Sequence, residues 1–80
     1  MDDIIRYVAV ITIRYKSFNS EVTMTDEFTE EQFWNIYEYY NRIYDEQLDN
    51  NISYDDDNEE WGTSAEDEQT EITFKVTELE

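Results

Sequence analysis

The chain has 80 residues, 22 acidic side chains against 5 basic ones, a formal net charge of −17, and neither cysteine nor histidine. That length fits one domain with a small core, expected over residues 1–80; the missing residue types exclude disulfides, thiolate metal sites and the commonest general base. The charge disfavours direct binding to nucleic acid or to an anionic membrane, while an aromatic content of 16% separates the chain from disordered acidic tails.

Ile5, Tyr7, Ala9, Ile11, Ile13 and Tyr15 alternate with Arg6, Val8, Val10, Thr12 and Arg14. The segment from Ile4 onward therefore reads as a strand with one core face. Val8 and Val10 make its second face partly apolar, which suits a central strand. Residues 16–20 hold turn-forming Ser, Asn and Ser. Val22 and Met24 then alternate with Glu21, Thr23 and Thr25, a shorter second strand that completes a hairpin.

Thr29 with Gln32 three residues later fits a capping box, and Glu30 and Glu31 suit the positive end of a helix dipole. The spacing predicts one helix from residue 30 to about 48, roughly 28 Å long. Phe33, Ile36, Tyr37, Tyr40, Ile43, Tyr44 and Leu48 form its apolar stripe, flanked by Trp34 and Tyr39. Residues 49–69 show little periodicity, though Ile52 and Tyr54 allow a brief strand. Between residues 55 and 68 lie eight acids and no base, around Trp61 and the single glycine, Gly62. This reads as an acidic loop turning at Gly62. Residues 70–79 alternate again, with Ile72, Phe74 and Val76 facing inward. The expected architecture is α+β in the order β-β-α-β: a three-stranded antiparallel sheet ordered 2-1-3, first strand central. One long helix packs on one face, and the acidic loop precedes the last strand.

The charge is unevenly placed. Up to Thr25 acids and bases balance; beyond it 19 acids share the chain with Arg42 and Lys75. A net charge of about 2–8 serves the solubility of a small domain, and more destabilises it by self-repulsion. A rigid body carrying carboxylates at a density comparable to duplex DNA, about one charge per 1.7 Å, fits a groove lined by Lys and Arg. The candidate partner-binding residues are Asp55, Asp56, Asp57, Glu59 and Glu60, supported by Trp61, Glu38, Asp45 and Glu46. The plain alternative is a solvated surface that aids solubility. Trp61 either anchors a partner or folds back onto the sheet edge.

Other constellations are weaker. An EF-hand loop beginning at Asp55 would close with Glu66, but Glu60 stands where the sharp turn requires glycine. Paired carboxylates such as Glu59 with Glu60, or Asp56 with Glu66, lack the apolar pocket that acid–base catalysis requires. No catalytic residue, cofactor or metal is therefore expected. Val8 and Val10 on the outer sheet face would support a homodimer in which Arg6 and Arg14 neutralise acids of a second copy. The lack of disulfides, with no apolar leader after Met1 and no bilayer-length apolar run, points to the cytoplasm.

In size, acidic excess and lack of cysteine the chain resembles the small acidic inhibitors that bacteriophages direct against host defence proteins, among them DNA mimics and anti-CRISPR proteins. The resemblance rests on whole-chain composition and on no motif. It implies a nucleic-acid-binding partner with a basic groove, such as a Cas effector complex. It also implies blockage of the site that receives DNA or RNA, and action in the bacterial cytoplasm. A second class stays open: an acidic interaction or assembly module that binds a basic partner without imitating nucleic acid.

Overall fold

β1 (Arg6–Tyr15) and β2 (Ser20–Thr29) form an antiparallel hairpin whose turn ends on Asn19 at a φ of 50°. The computed structural model describes residues 5–79, so the expected strand start at Ile4 lies outside the described residues. α1 (Glu30–Ile43) follows directly. The Thr29 hydroxyl accepts from the Gln32 backbone N–H, and the Gln32 side chain accepts from the Thr29 N–H, completing the expected capping box. Then come α2 (Gln47–Asn50), β3 (Ser53–Asp55), β4 (Glu60–Glu66) and β5 (Thr70–Leu79). All ladders are antiparallel, in the order β2-β1-β5-β4-β3, and α1 covers one face.

The core lies between that face and α1. β1 contributes Tyr7, Ala9 and Ile11, β5 contributes Ile72, Phe74 and Val76, and β4 contributes Thr63 and Ala65. Phe33, Tyr37, Tyr44 and Leu48 close it from the helical side. The alternation of β1 and β5 is thus realised as expected, because a period of two puts every second side chain on one face. Phe33 lies at the centre of the aromatic packing, 5.0 Å from the Tyr7 ring and 6.5 Å from the Phe74 ring.

The three-stranded expectation is overturned: the sheet has five strands. The first strand does lie between the second and the last, but β4 and β3 extend the sheet beyond β5, which makes β5 the middle strand. The segment expected to be an acidic loop is the β3–β4 hairpin. Its inward positions are Tyr54, Trp61, Thr63 and Ala65, a low-contrast pattern that alternates with Glu60, Gly62, Ser64 and Glu66. The turn is not at Gly62. It lies at residues 56–59, ending on Glu59 at a φ of 52°. A Cβ on Gly62 would sit 2.9 Å from the Phe74 carbonyl oxygen, so glycine serves the close approach of β4 to β5.

The single long helix is also corrected. α1 stops at Ile43, and Asp45 and Glu46 take left-handed φ values of 54° and 64°. The chain turns there and α2 returns Leu48 to the core beneath β4, where its carbonyl accepts the Thr63 hydroxyl. A continuous helix would also have placed Leu48 on the apolar stripe, four residues after Tyr44, so periodicity could not reveal the break. Ile43, expected on that stripe, is half exposed at 51%. β2 is longer than expected, because Asp26 and Glu27 conceal its continuation to Phe28.

Candidate functional site

Register assigns every charged strand residue to a face. Arg6, Arg14 and Lys75 stand on the helix-free face, with Glu21, Glu27, Glu60, Glu66 and Glu71. All three ion pairs among the described residues lie there: Arg6–Glu27 at 3.2 Å, Arg14–Glu71 at 2.9 Å and Lys16–Glu66 at 2.6 Å. Lys16 also donates to the Asp67 carbonyl at 2.8 Å. The Lys16 hydrogen bond and charge hold the Glu66 carboxyl below its ordinary pKa, with Arg14 assisting. Both arginines expected to neutralise a second copy are thus engaged within their own chain.

The helical side is different. Asp26, Glu30, Glu31, Glu38, Asp45, Glu46 and Asp49 lie on it or along its rim, with Arg42 as the single base there among the described residues. Glu30 and Glu78 come close enough to Tyr7 to assist burial in raising its hydroxyl pKa. Carboxylates therefore converge at the α1 N-terminus, where the helix dipole favours them.

The predicted site residues fall into two groups. Glu38, Asp45 and Glu46 line one shallow hollow with Asn41 and Arg42 at the end of α1. Asp45 and Glu46 reach it because the left-handed turn swings them clear of the core. Residues 55–60 form the β3–β4 tip at the opposite end of the sheet. The Tyr44 hydroxyl lies 2.8 Å from the Thr70 hydroxyl, which marks the first end; Glu60 pairs with Thr77, which marks the second. Seven residues of β5 separate these marks, about 23 Å. That span equals about seven phosphate steps along one strand of B-DNA.

Within the tip the acids are not equivalent. The Asp55 carboxylate accepts from the Asn58 side chain at 2.9 Å and from the backbone N–H groups of Asp57 and Asn58 at 3.0 and 3.4 Å. The Asn58 side-chain bond is the main cause of its lowered pKa. Asp55 builds the turn. Asp56, Asp57 and Glu59 have no side-chain partner among the described residues and project from that turn; Glu60, likewise without one, opens β4 on the helix-free face. Asp67 and Asp49 are likewise engaged. Asp67 accepts from the N–H groups of Thr70 and Gln69 at 2.7 and 2.8 Å, which lowers its pKa. Asp49 accepts from the buried Tyr37 hydroxyl at 2.7 Å. Burial, followed by that bond, pushes the Tyr37 pKa up.

Trp61 faces inward from β4 and stacks on Trp34, with centroids 6.1 Å apart and planes 16° from parallel. It also meets Phe33 edge-on at 5.8 Å. Trp34 keeps 36% of its surface exposed, so the pair shows an indole face beside the acidic tip. The helical periodicity marks Trp34 as a flank that it does not bury; its partnership with Trp61 needs the fourth strand.

Among the described residues no three carboxylates converge to hold a metal ion, and the segment read as a possible EF-hand is the β3–β4 hairpin. No described helix is long and apolar enough to cross a membrane. Comparison with protein-family models, with curated proteins and with solved structures yields no match.

Proposed function

We propose that the protein is a non-catalytic acidic inhibitor that occupies the basic nucleic-acid-binding groove of a partner protein and thereby excludes DNA or RNA. The observation that carries this reading is the segregation of charge. Four of the five bases lie on or beside the helix-free face, three of them in ion pairs, which leaves the helical side with Arg42 alone against its carboxylates and leaves Asp56, Asp57 and Glu59 of the β3–β4 turn without an ion-pair partner among the described residues. Carboxylates so placed form charge-assisted, often bidentate bonds with arginine. Their two groups, about 23 Å apart, suit a groove that holds an extended polyanion. A CRISPR effector complex is the partner class that the compositional resemblance suggests, and the bacterial cytoplasm is where the two would meet.

The Trp34–Trp61 face favours a second reading, an interaction module that binds a basic protein beside its nucleic acid, since half-exposed Trp is a frequent hot spot. Competition separates the two. Tagged protein is used to capture complexes from bacterial lysate containing CRISPR effectors, and duplex DNA is then added in excess. Release of a nucleic-acid-binding complex by DNA supports mimicry; retention of that complex supports the module. Affinity for the purified partner is expected to fall at least about tenfold between ~50 and ~300 mM NaCl, as the Debye length shortens. An unchanged affinity would sink both electrostatic readings.

A further inference from the structure

The two edges of the sheet are finished differently. On the β3 side, β3 pairs only with residues 60–62 of β4. Beyond it, α2 and its C-cap take the place of a strand. The Gln47 side chain donates to the Glu66 carbonyl at 3.0 Å and accepts from the Glu66 N–H at 3.1 Å. Asn51 donates to the Ser64 carbonyl at 2.8 Å. Side-chain amides thus occupy three of the outward backbone groups of β4 beyond β3, which leaves only the three-residue β3 as the outermost strand on this side.

The β2 edge is closed at one end only. The Glu30 N–H donates to the Ile5 carbonyl, and Tyr7 pairs with Phe28, so the odd residues of β1 and the even residues of β2 turn toward each other. Glu21, Thr23, Thr25, Glu27 and Thr29 therefore turn their backbone groups outward. The Asp26 carboxylate occupies the Glu27 N–H at 2.8 Å, and Gln32 occupies that of Thr29. Glu21, Thr23 and Thr25 have no such cover among the described residues. Beside them Val22 and Met24 are 46% and 44% exposed on the inner face. Met24 lines an apolar groove of about 530 Å³ together with Phe28, Ile36, Tyr39 and Tyr40.

We propose that the open stretch of β2 from Glu21 to Thr25 receives an extended cationic segment of the partner protein as a sixth strand. This rests on the partner being basic, as argued above. Backbone groups left in a row select a strand, and the sign of charge selects which strand. β2 carries Glu21, Asp26 and Glu27 and no base. Glu27 is paired with Arg6, while Glu21, in the open stretch, has no ion-pair partner among the described residues because Arg14 opposite it pairs with Glu71. A second copy pairing here would join two chains of −17 each, edge acid to edge acid. An alternating segment places apolar side chains over Val22, Met24 and the groove, and basic ones on the opposite face beside Glu21.

The test uses a nine-residue peptide of alternating lysine and valine, and the same peptide with every backbone amide methylated. Both carry the same charge. Amide hydrogen exchange of the full chain is followed at low salt. The unmodified peptide is expected to slow exchange at Glu21, Thr23 and Thr25 at least tenfold, and the methylated one to leave it unchanged. Thr25→Pro removes an outward N–H without touching the β1 ladder, and is expected to weaken the unmodified peptide at least tenfold. Equal binding of both peptides without slowed exchange would overturn strand addition while leaving the charge reading intact. Slowing that grows with protein concentration and needs no peptide would overturn it in favour of a second copy. Loss of DNA competition at the captured partner, with the peptide result as expected, would overturn the inhibitor reading alone.

Discussion

Replacing Leu48 by alanine tests the turn that sets the acidic corner of the molecule. Were the helix continuous, Leu48 would lie in a fraying last turn and its truncation would cost less than about 1 kcal/mol. In the observed fold it is fully buried, and its carbonyl accepts the Thr63 hydroxyl beneath β4. The three lost carbons account for about 2.4 kcal/mol at ~0.8 each, and an incompletely closed cavity adds about 1 more. A chain of this length has a total stability of about 4–12 kcal/mol. Losing about 3 lowers Tm by about 12–24 °C. Urea unfolding followed by tryptophan fluorescence reads the loss, with Ile43→Ala as the comparison, since Ile43 is half exposed. A larger cost at Ile43 than at Leu48 would refute the break after α1, and with it the placement of Asp45 and Glu46 beside Glu38.

Changing Asp56 and Asp57 to Asn and Glu59 and Glu60 to Gln, with Asp55 left in place, is expected to keep or raise Tm while weakening the partner at least tenfold; a salt titration should show a shallower slope. Glu46→Gly relieves a left-handed backbone and is expected to stabilise the chain by about 1 kcal/mol in thermal unfolding. Asp67→Ala is expected to destabilise at neutral pH. Because folding lowers the Asp67 pKa, its contribution is present above the ordinary value of 3.8 and is lost as pH falls through the lower folded value. Urea midpoints of the two proteins should therefore converge below that range. Added NaCl is expected to raise the Tm of the unmodified chain, since it screens the repulsion of a −17 charge.

Elements that bury a full face were legible in the sequence. β1 and β5 carry apolar residues at every second position through their middles, and the Thr29–Gln32 box announces α1 through bonds that are local in sequence. What stayed hidden depends on contacts distant in sequence. β4 buries Thr63 and Ala65, whose small side chains give little contrast against neighbouring acids, and Gly62 is explained only by the Phe74 carbonyl above it. The same limit governs the site. Composition identified the acidic tip, but Asp55 and Asp56 look alike until the turn assigns one to the backbone and leaves the other to solvent.

Solubility alone does not account for where the charges sit. A coat that only kept the chain dispersed would gain nothing by collecting Arg6, Arg14, Lys16 and Lys75 on or beside one face. Interspersed signs lower self-repulsion everywhere, whereas segregated signs raise it on the face poor in bases. Here that face also holds Trp34, kept partly exposed over Trp61, and adjoins the groove beside Met24 and the unfinished edge of β2. Repulsion is concentrated where a cationic partner would relieve it, and hydrogen-bonding and apolar groups are left open at the rim of that face. Binding would then discharge a strain that the free chain carries. The rise in Tm with salt and the rise on binding should accordingly be less than additive: salt and partner would be relieving one and the same repulsion.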